Sequence, residues 1–254
     1  MNSKMIQVQN VNHSYGSVDV LKSINLDINR GEFVAIVGPS GCGKTTLLNL
    51  ISGYEKPTSG KVVQSGELRM VYQQDGLFPW LTVTENIGLG LRHLDNKLEK
   101  STQIDEAIEL IGLHGFENHY PHQLSGGMRQ RVELARALTG ESDILLMDEP
   151  FSALDYLTRL KMRNELVRLL KERPRTVILV THDIEEAAQL ADRIIPLTTR
   201  PATILNEKRI NLEKPRSLTH PVVTEAVHDL LKILNPDTVN NGMENKLKTQ
   251  GVEK

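Results

Sequence analysis

With 254 residues, 39% of them hydrophobic and 24% charged, the chain is long enough to bury a sizeable core as one large or two small globular units. A formal net charge of −2 gives no reason to expect a polyanionic partner such as nucleic acid; the single cysteine, Cys42, excludes an internal disulfide and suits a reducing cytoplasm. No stretch approaches the roughly 18 apolar residues of a membrane span, and Met1 to Asn12 is too polar for a signal peptide, so work at a membrane requires a partner that holds the chain there.

The stretch Met5 to Val11 alternates like a half-buried strand, His13 to Gly16 reads as a turn, and Val18 to Ile28 alternates again, which predicts an antiparallel hairpin. Tyr15 either stacks on a nucleotide base or packs on its own sheet. The apolar run Phe33 to Val37 predicts a buried strand. It leads into Gly38-Pro39-Ser40-Gly41-Cys42-Gly43-Lys44-Thr45 and then a helical pattern from Thr46 to Ile51. Strand before and helix after are the context of a phosphate-binding loop, in which glycines let backbone N–H groups aim at an anion on a helix N-terminus. In that spacing Lys44 reaches the β- and γ-phosphates and the Thr45 hydroxyl takes a place on Mg²⁺. The Cys42 thiol either borders the nucleotide or packs as a small buried residue.

The helix is expected to end at Gly53, with a turn over Lys56 to Gly60 and short strands at Lys61 to Val63 and Leu68 to Tyr72, the last running to Gln73. Asp75 to Thr82 has neither helical nor strand period, yet holds Phe78 and the single tryptophan, Trp80; it is either buried loop packing or a docking surface. Val83 to Gly115 reads as helical, one segment opening at Thr84-Glu85-Asn86. Ser125-Gly126-Gly127 precedes a helix over Val132 to Leu138 and forms a second anion-directed N-terminus, or a plain loop-to-helix turn.

Asp143 to Asp148 is an apolar strand that ends in two acids, Asp148 and Glu149. Adjacent carboxylates at the end of a buried strand are costly without a cation or a reaction to serve. Asp148 is therefore placed to hold Mg²⁺ through its water shell and Glu149 to take a proton from a water attacking the γ-phosphate. Ser152 to Asp155 caps a helix to Glu172 whose apolar face carries Leu157, Leu160, Leu166 and Leu170. Thr176 to Val180 predicts a further buried strand that delivers His182 to its carboxyl end, where ligands of open α/β sheets sit. A short helix over Asp183 to Asp192, strands at Arg193 to Leu197 and Ala202 to Leu205, an amphipathic helix over Pro221 to Leu234, and a polar tail to Lys254, expected to be disordered, complete the reading.

In this order the motifs resemble those of ATP-binding subunits of ABC transporters, over roughly Ile6 to Leu205. The resemblance implies an α/β fold with a P-loop NTPase parallel-sheet core, an antiparallel β subdomain and an inserted α-helical subdomain. Residues 1–75 and 134–205 form the core and β subdomain, 76–133 the helical subdomain, and 206–254 a C-terminal extension. It places Tyr15 on the adenine, the stretch Gly38 to Thr46 on the phosphates, Gln73 in the glutamine loop as a metal ligand and catalytic residue, and Leu124 to Met128 on the signature motif. Asp148 and Glu149 match the metal-binding aspartate and the catalytic glutamate, Ser152 to Asp155 the D-loop, and His182 the switch histidine. Met128 departs from the glutamine that many members carry. ATP and Mg²⁺ are implied, in a head-to-tail dimer with a second copy or a close paralogue, where Ser125, Gly126 and Gly127 of one subunit face the γ-phosphate held by Lys44 of the other.

The implied setting is the cytoplasmic face of the cell membrane, with integral permease subunits and, indirectly, a solute-binding protein as partners. Leu77-Phe78-Pro79-Trp80, the run Ser125 to Arg131, and Arg193 to Leu197 followed by Arg200-Pro201 are similar to the nitrate, sulfonate and taurine importer branch. Import of another small solute, such as a pyrimidine precursor, has the same signature. A soluble ABC ATPase of DNA repair or translation is disfavoured, because neither a long coiled-coil insertion nor a second copy of the motifs is present.

Overall fold

A computed structural model describes residues 3–72 and 76–235; Gln73 and the tail beyond Asn235 lie outside the described residues. Two sheets organise the chain. The first is antiparallel, in the order β2-β1-β4, from β1 (Lys4–Tyr15), β2 (Val18–Asn29) and β4 (Ser59–Gln64). The expected turn at His13 to Gly16 is shorter than its composition suggested: β1 continues through Tyr15, which pairs with Val18, and the chain reverses at Gly16 and Ser17 alone.

The second sheet has the order β5-β6-β7-β3-β8-β9, built from β3 (Phe33–Val37), β5 (Leu68–Val71), β6 (Ile144–Asp148), β7 (Thr176–Thr181), β8 (Arg193–Pro196) and β9 (Lys208–Arg209). All its pairings are parallel except β8 with β9. Every residue of β3, β6 and β7 is buried, as expected for parallel strands covered on both faces. Phe33, Ala35 and Val37 face a core shared with the helices α2 to α7, whereas Val34 and Ile36 face a core shared with α1 (Lys44–Ser52) and the antiparallel sheet. A run of β-branched and apolar residues without polar alternation is what this two-sided burial requires.

The remaining helices are α2 (Val83–Gly88), α3 (Lys97–Ile111), α4 (Gly126–Thr139), α5 (Tyr156–Glu172), α6 (Ile184–Leu190) and α7 (Pro221–Leu234). The stretch from Val83 to Gly115, read as helical with one segment opening at Thr84-Glu85-Asn86, is two helices, α2 and α3. The first begins at Val83, where Thr82 and Glu85 form a reciprocal capping box (Glu85 N to Thr82 Oγ1 3.2 Å, Thr82 N to Glu85 Oε2 2.8 Å). It stops where Gly90 lies against the Arg136 carbonyl, 2.4 Å from where a Cβ would stand. On α5, the expected face holds at Leu166, which is buried, and at Leu170, which packs on the core, but Leu157 is 74% exposed and Met162, Arg163 and Val167 complete the buried face. Ala202 to Leu205 is no strand: Ala202 and Ile204 make isolated bridges to Leu21 and Leu197, and the edge pairing falls to β9. The C-terminal helix α7 spans its expected residues and buries Val223, Ala226 and Leu230 in the larger core, against α6 and β8.

Candidate nucleotide site

Register places the chemistry. β3 pairs with β7 so that Val37 faces Thr181, and β6 pairs with β7 so that Asp148 faces Val180. The residues that follow, Gly38, His182 and Glu149, therefore emerge side by side at the carboxyl ends of three adjacent strands.

The loop leaving β3 turns through Gly41 (φ 72°) and Gly43 (φ 117°), a left-handed pair of conformations that only glycine adopts cheaply. A side chain on Gly43 is also barred by Val20, whose Cγ1 would lie 2.8 Å from its Cβ. Gly43 is the N-cap of α1 and offers no side-chain cap, so the first N–H groups of that helix are left for another acceptor. Lys44 is buried and donates to the carbonyls of Gly38 (2.9 Å) and Pro39 (3.0 Å), holding its ammonium across the loop. Cys42 is 2% exposed and its sulfur belongs to the core beneath the loop. Of the two placements open for its thiol, the structure has the buried one, so Cys42 can meet a ligand through its backbone only.

Asp148 is 2% exposed, and its Oδ1 has no hydrogen-bond partner. Burial pushes its carboxyl above the ordinary aspartate range, and Glu149 adds to the rise; the Thr45 hydroxyl and the Lys44 ammonium pull it back. A buried carboxylate oxygen without a partner, next to a hydroxyl, fits a hard cation with oxygen ligands. Among the described residues there is no cluster of three or more His, Cys, Asp or Glu able to enclose a metal.

Glu149 has a positive φ of 48°, unusual for a residue with a side chain. Its N–H donates to Val180 O (2.9 Å), and its Oε1 lies 3.1 Å from His182 Nδ1. The turn is then tied down at the Glu149 carbonyl, which accepts from Ser152 N (3.2 Å), Ser152 Oγ (2.9 Å) and Gln130 Nε2 (3.0 Å). Gln130 also accepts from Ala153 N at 3.0 Å. It is a buried polar residue of α4 to which the sequence reading gave no individual role, although it lies in the Ser125 to Arg131 run.

Ser125 caps α4 by accepting from Met128 N (3.3 Å), and Ser125 and Gly126 are exposed. Gly127 lies against the Ala153 carbonyl, 2.9 Å from where its Cβ would stand. The start of α4 is thus brought onto the segment Ser152 to Asp155. Further along α4, the buried Glu133 accepts from Tyr72 N (3.0 Å) and Gly76 N (2.9 Å), clamping the two ends of the segment that holds Gln73. Arg136 donates to Gly76 O (2.9 Å) and lies over the Phe78 ring at 5.8 Å.

The loop after Gly76 does not bury its two large aromatics. Leu77 is buried, whereas Phe78 is 40% and Trp80 68% exposed, their rings tilted against each other at 5.4 Å. The loop is shaped from below by Asn86, fully buried, which accepts from Phe78 N and donates to the carbonyls of Phe78, Leu81 and Thr82. The aromatics are therefore a surface on a rigid base. A separate cavity of about 630 Å³ between α3, α4 and α5 shares no lining residue with the nucleotide site.

Known proteins resemble this chain in the same parts. Residues 21–152 match the ABC transporter family model. The aliphatic sulfonates import ATP-binding protein of Rhodococcus jostii is 47% identical over 215 residues, covering 81% of this chain and 83% of that protein. The taurine import ATP-binding protein of Pelagibacter ubique is 44% identical over 200 residues, 75% and 76% of the two chains. Among solved structures, a dimeric ATP-binding cassette in a post-hydrolysis state with ADP and Pi superimposes with a TM-score of 0.73 at 36% identity, over 82% of this chain and 100% of the other. The fold is that of the ABC ATPase cassettes.

Proposed function

The chain belongs to the ABC transporter ATP-binding family, and from that premise we propose that it is the ATP-hydrolysing subunit of an importer for a small solute, an anion such as nitrate, a sulfonate or taurine. The observation that carries the reading is the convergence of Lys44, Asp148, Glu149 and His182 at the carboxyl ends of three neighbouring strands.

In this mechanism the N–H groups of Gly41 to Thr46 and the Lys44 ammonium bind the β- and γ-phosphates, the lysine exchanging two carbonyls for phosphate oxygens. Thr45, Asp148 and Gln73 would hold Mg²⁺, which neutralises charge on the phosphoryl oxygens. Glu149 accepts the proton of the attacking water, and His182, 3.1 Å from its carboxylate, keeps that carboxylate aimed. Tyr15 stacks on the base. The exposed N-terminus of α4, Ser125 to Gly127, completes the γ-phosphate site of a second copy or close paralogue in a head-to-tail dimer, so that ATP favours the closed dimer and its hydrolysis releases it. Phe78 and Trp80 dock a permease subunit on the cytoplasmic face of the membrane. Among the described residues no helix is long and apolar enough to cross a membrane. Residues 76–133 act as the helical arm, and 206–235 pack with the ATPase core.

Phosphate release by the purified chain tests the chemistry: it should require Mg²⁺ and ATP, stop on chelation, and disappear in Lys44→Ala. A chain that neither binds nor hydrolyses ATP overturns the reading. Growth of a deletion strain on single nitrogen or sulfur sources identifies the solute class, and loss of growth on none of them removes the anion assignment.

A further inference from the structure

Tyr15 stands 50% exposed at the end of β1, yet its ring is tethered. Its hydroxyl donates to Glu55 Oε2 at 2.5 Å, the short distance of a charge-assisted bond. His13, buried on the same strand, meets the ring edge-on, with centroids 4.7 Å apart and planes at 84°. Its Nε2 lies 3.4 Å from the same carboxylate oxygen. The other oxygen, Glu55 Oε1, accepts from Asn49 Nδ2 at 2.9 Å, and the Glu55 N–H donates to Asn49 O at 3.2 Å. Asn49 is on the last turn of α1, and Glu55 lies just beyond its Gly53 cap.

A glutamate on a turn after a helix ordinarily points to water. Here the carboxylate joins three side chains from two elements. The arrangement has a geometric consequence: α1 is nine residues long, about 14 Å at 1.5 Å per residue. Its N-terminus is the phosphate cradle, and its C-terminal end carries the carboxylate that fixes the aromatic ring.

We infer that Glu55 is a positioning residue for the nucleotide base: anchored to α1 by Asn49, it holds the Tyr15 ring at a fixed place relative to the phosphate loop. The inference rests on the reading that Tyr15 stacks on the base and the loop holds the phosphates. Without the tether the ring keeps its chemistry and loses its preorganisation, so part of the affinity for the base is lost while that for the phosphates is not.

The test is titration calorimetry of the purified full chain with Mg-ATP and, separately, Mg-tripolyphosphate, which has no base. Glu55→Ala and Tyr15→Phe should each weaken Mg-ATP about five- to tenfold and leave tripolyphosphate within twofold; the double variant should be no weaker than either single one, since both cut the same tether. Glu55→Gln, which keeps an oxygen to accept the tyrosine proton and an unaltered shape, should stay within threefold of the parent. Tyr15→Ala is the control for stacking and should weaken Mg-ATP more than either. If Tyr15→Ala weakens Mg-ATP and Glu55→Ala does not, the positioning role is wrong and stacking stands. Equal losses of ATP and tripolyphosphate in Glu55→Ala would show that it acts on the phosphate loop through Asn49, which also overturns the proposal. No effect of Tyr15→Ala removes the stacking reading, and the proposal with it.

Discussion

The carboxyl end of the parallel sheet and the helical arm α2 to α4 differ in how they present their candidate functional groups, although both bury polar residues such as Lys44 and Glu133. At the sheet, Lys44 and Asp148 are buried and Glu149 is half-buried, each held by its neighbours: Lys44 by loop carbonyls, Glu149 beside the exposed His182, Asp148 beside Thr45 and Lys44. On the arm, what looks functional is exposed: the N-terminus of α4 at Ser125 and Gly126, and the rings of Phe78 and Trp80. Buried groups that hold one another in place suit chemistry carried out within one chain, whereas an exposed helix N-terminus and exposed aromatics on a rigid base suit contact with other chains. Substitutions at the sheet end should therefore change turnover, and substitutions on the arm should change assembly.

The largest effect is expected at Glu149. Glu149→Gln keeps the shape and loses the base, so turnover should fall by about 10²- to 10⁴-fold while Mg-ATP still binds. Size-exclusion chromatography with ATP should then show a trapped dimer. Parental turnover would take Glu149 out of the chemistry and blur the contrast between the two regions.

Gly126→Asp probes the arm with the same readouts. A side chain at Gly126 meets only Arg129, at 3.9 Å, so the fold accommodates it, but in the proposed dimer a carboxylate there would face the phosphates of a second copy. Mg-ATP binding to the monomer should persist, and ATP-dependent dimerisation in the Glu149→Gln background should be lost. A dimer that still forms would mean that α4 does not meet the nucleotide.

These two positions also mark what the sequence makes legible. Phosphate loop, acid-terminated strand and α7 are local patterns: glycine spacing, a two-sided apolar run, an amphipathic period. The paired alternatives for Cys42 and for the Phe78–Trp80 loop could not be resolved from sequence, because exposure depends on what packs from elsewhere in the chain. Gln130, Glu133, Asn86 and Glu55 were missed too. Gln130, Glu133 and Glu55 have partners in distant segments, such as Gln130 with Glu149 and Ala153, or Glu133 with Tyr72 and Gly76, while Asn86 serves an adjacent loop that has no period to read. The helix boundary at Thr82, by contrast, was readable from its Thr-x-x-Glu spacing.

Gln130 is where the two regions join, since it bonds from α4 to the carbonyl of Glu149. Gln130→Ala leaves that carbonyl its Ser152 partners but frees the turn, and a small displacement of a catalytic group is costly. Turnover should drop about tenfold with the KM for ATP within twofold. Stability should fall by about 1–3 kcal/mol, from the unpaired Ala153 N–H. Unchanged kcat together with loss of dimerisation would assign Gln130 to the arm alone.

The smallest effect on the isolated chain is expected where the arm is most exposed, and it sharpens the comparison by what does not change. Phe78 and Trp80 keep much of their surface in solvent, so truncation removes little burial; Leu77, their neighbour, is 8% exposed and packs in the larger core. Leu77→Ala should cost about 2–4 kcal/mol. Trp80→Ala should stay within about 0.5 kcal/mol, a shift in Tm of no more than about 2 °C for a chain of this size. Phe78→Ala should cost slightly more, since it also gives up the Trp80 ring and the Arg136 guanidinium. Both variants should bind and hydrolyse ATP as the parent does. In the assembled transporter the order reverses: Leu77→Ala, once folded, still presents the rings, while loss of Trp80 or Phe78 should remove an anchor commonly worth about 2 kcal/mol or more and with it co-purification with the permease subunits. Thermal melts and pull-downs on the three variants decide it. A large fall in Tm for Trp80→Ala with assembly intact would make the loop part of the core, and the division between a chemical end and a docking arm would no longer hold.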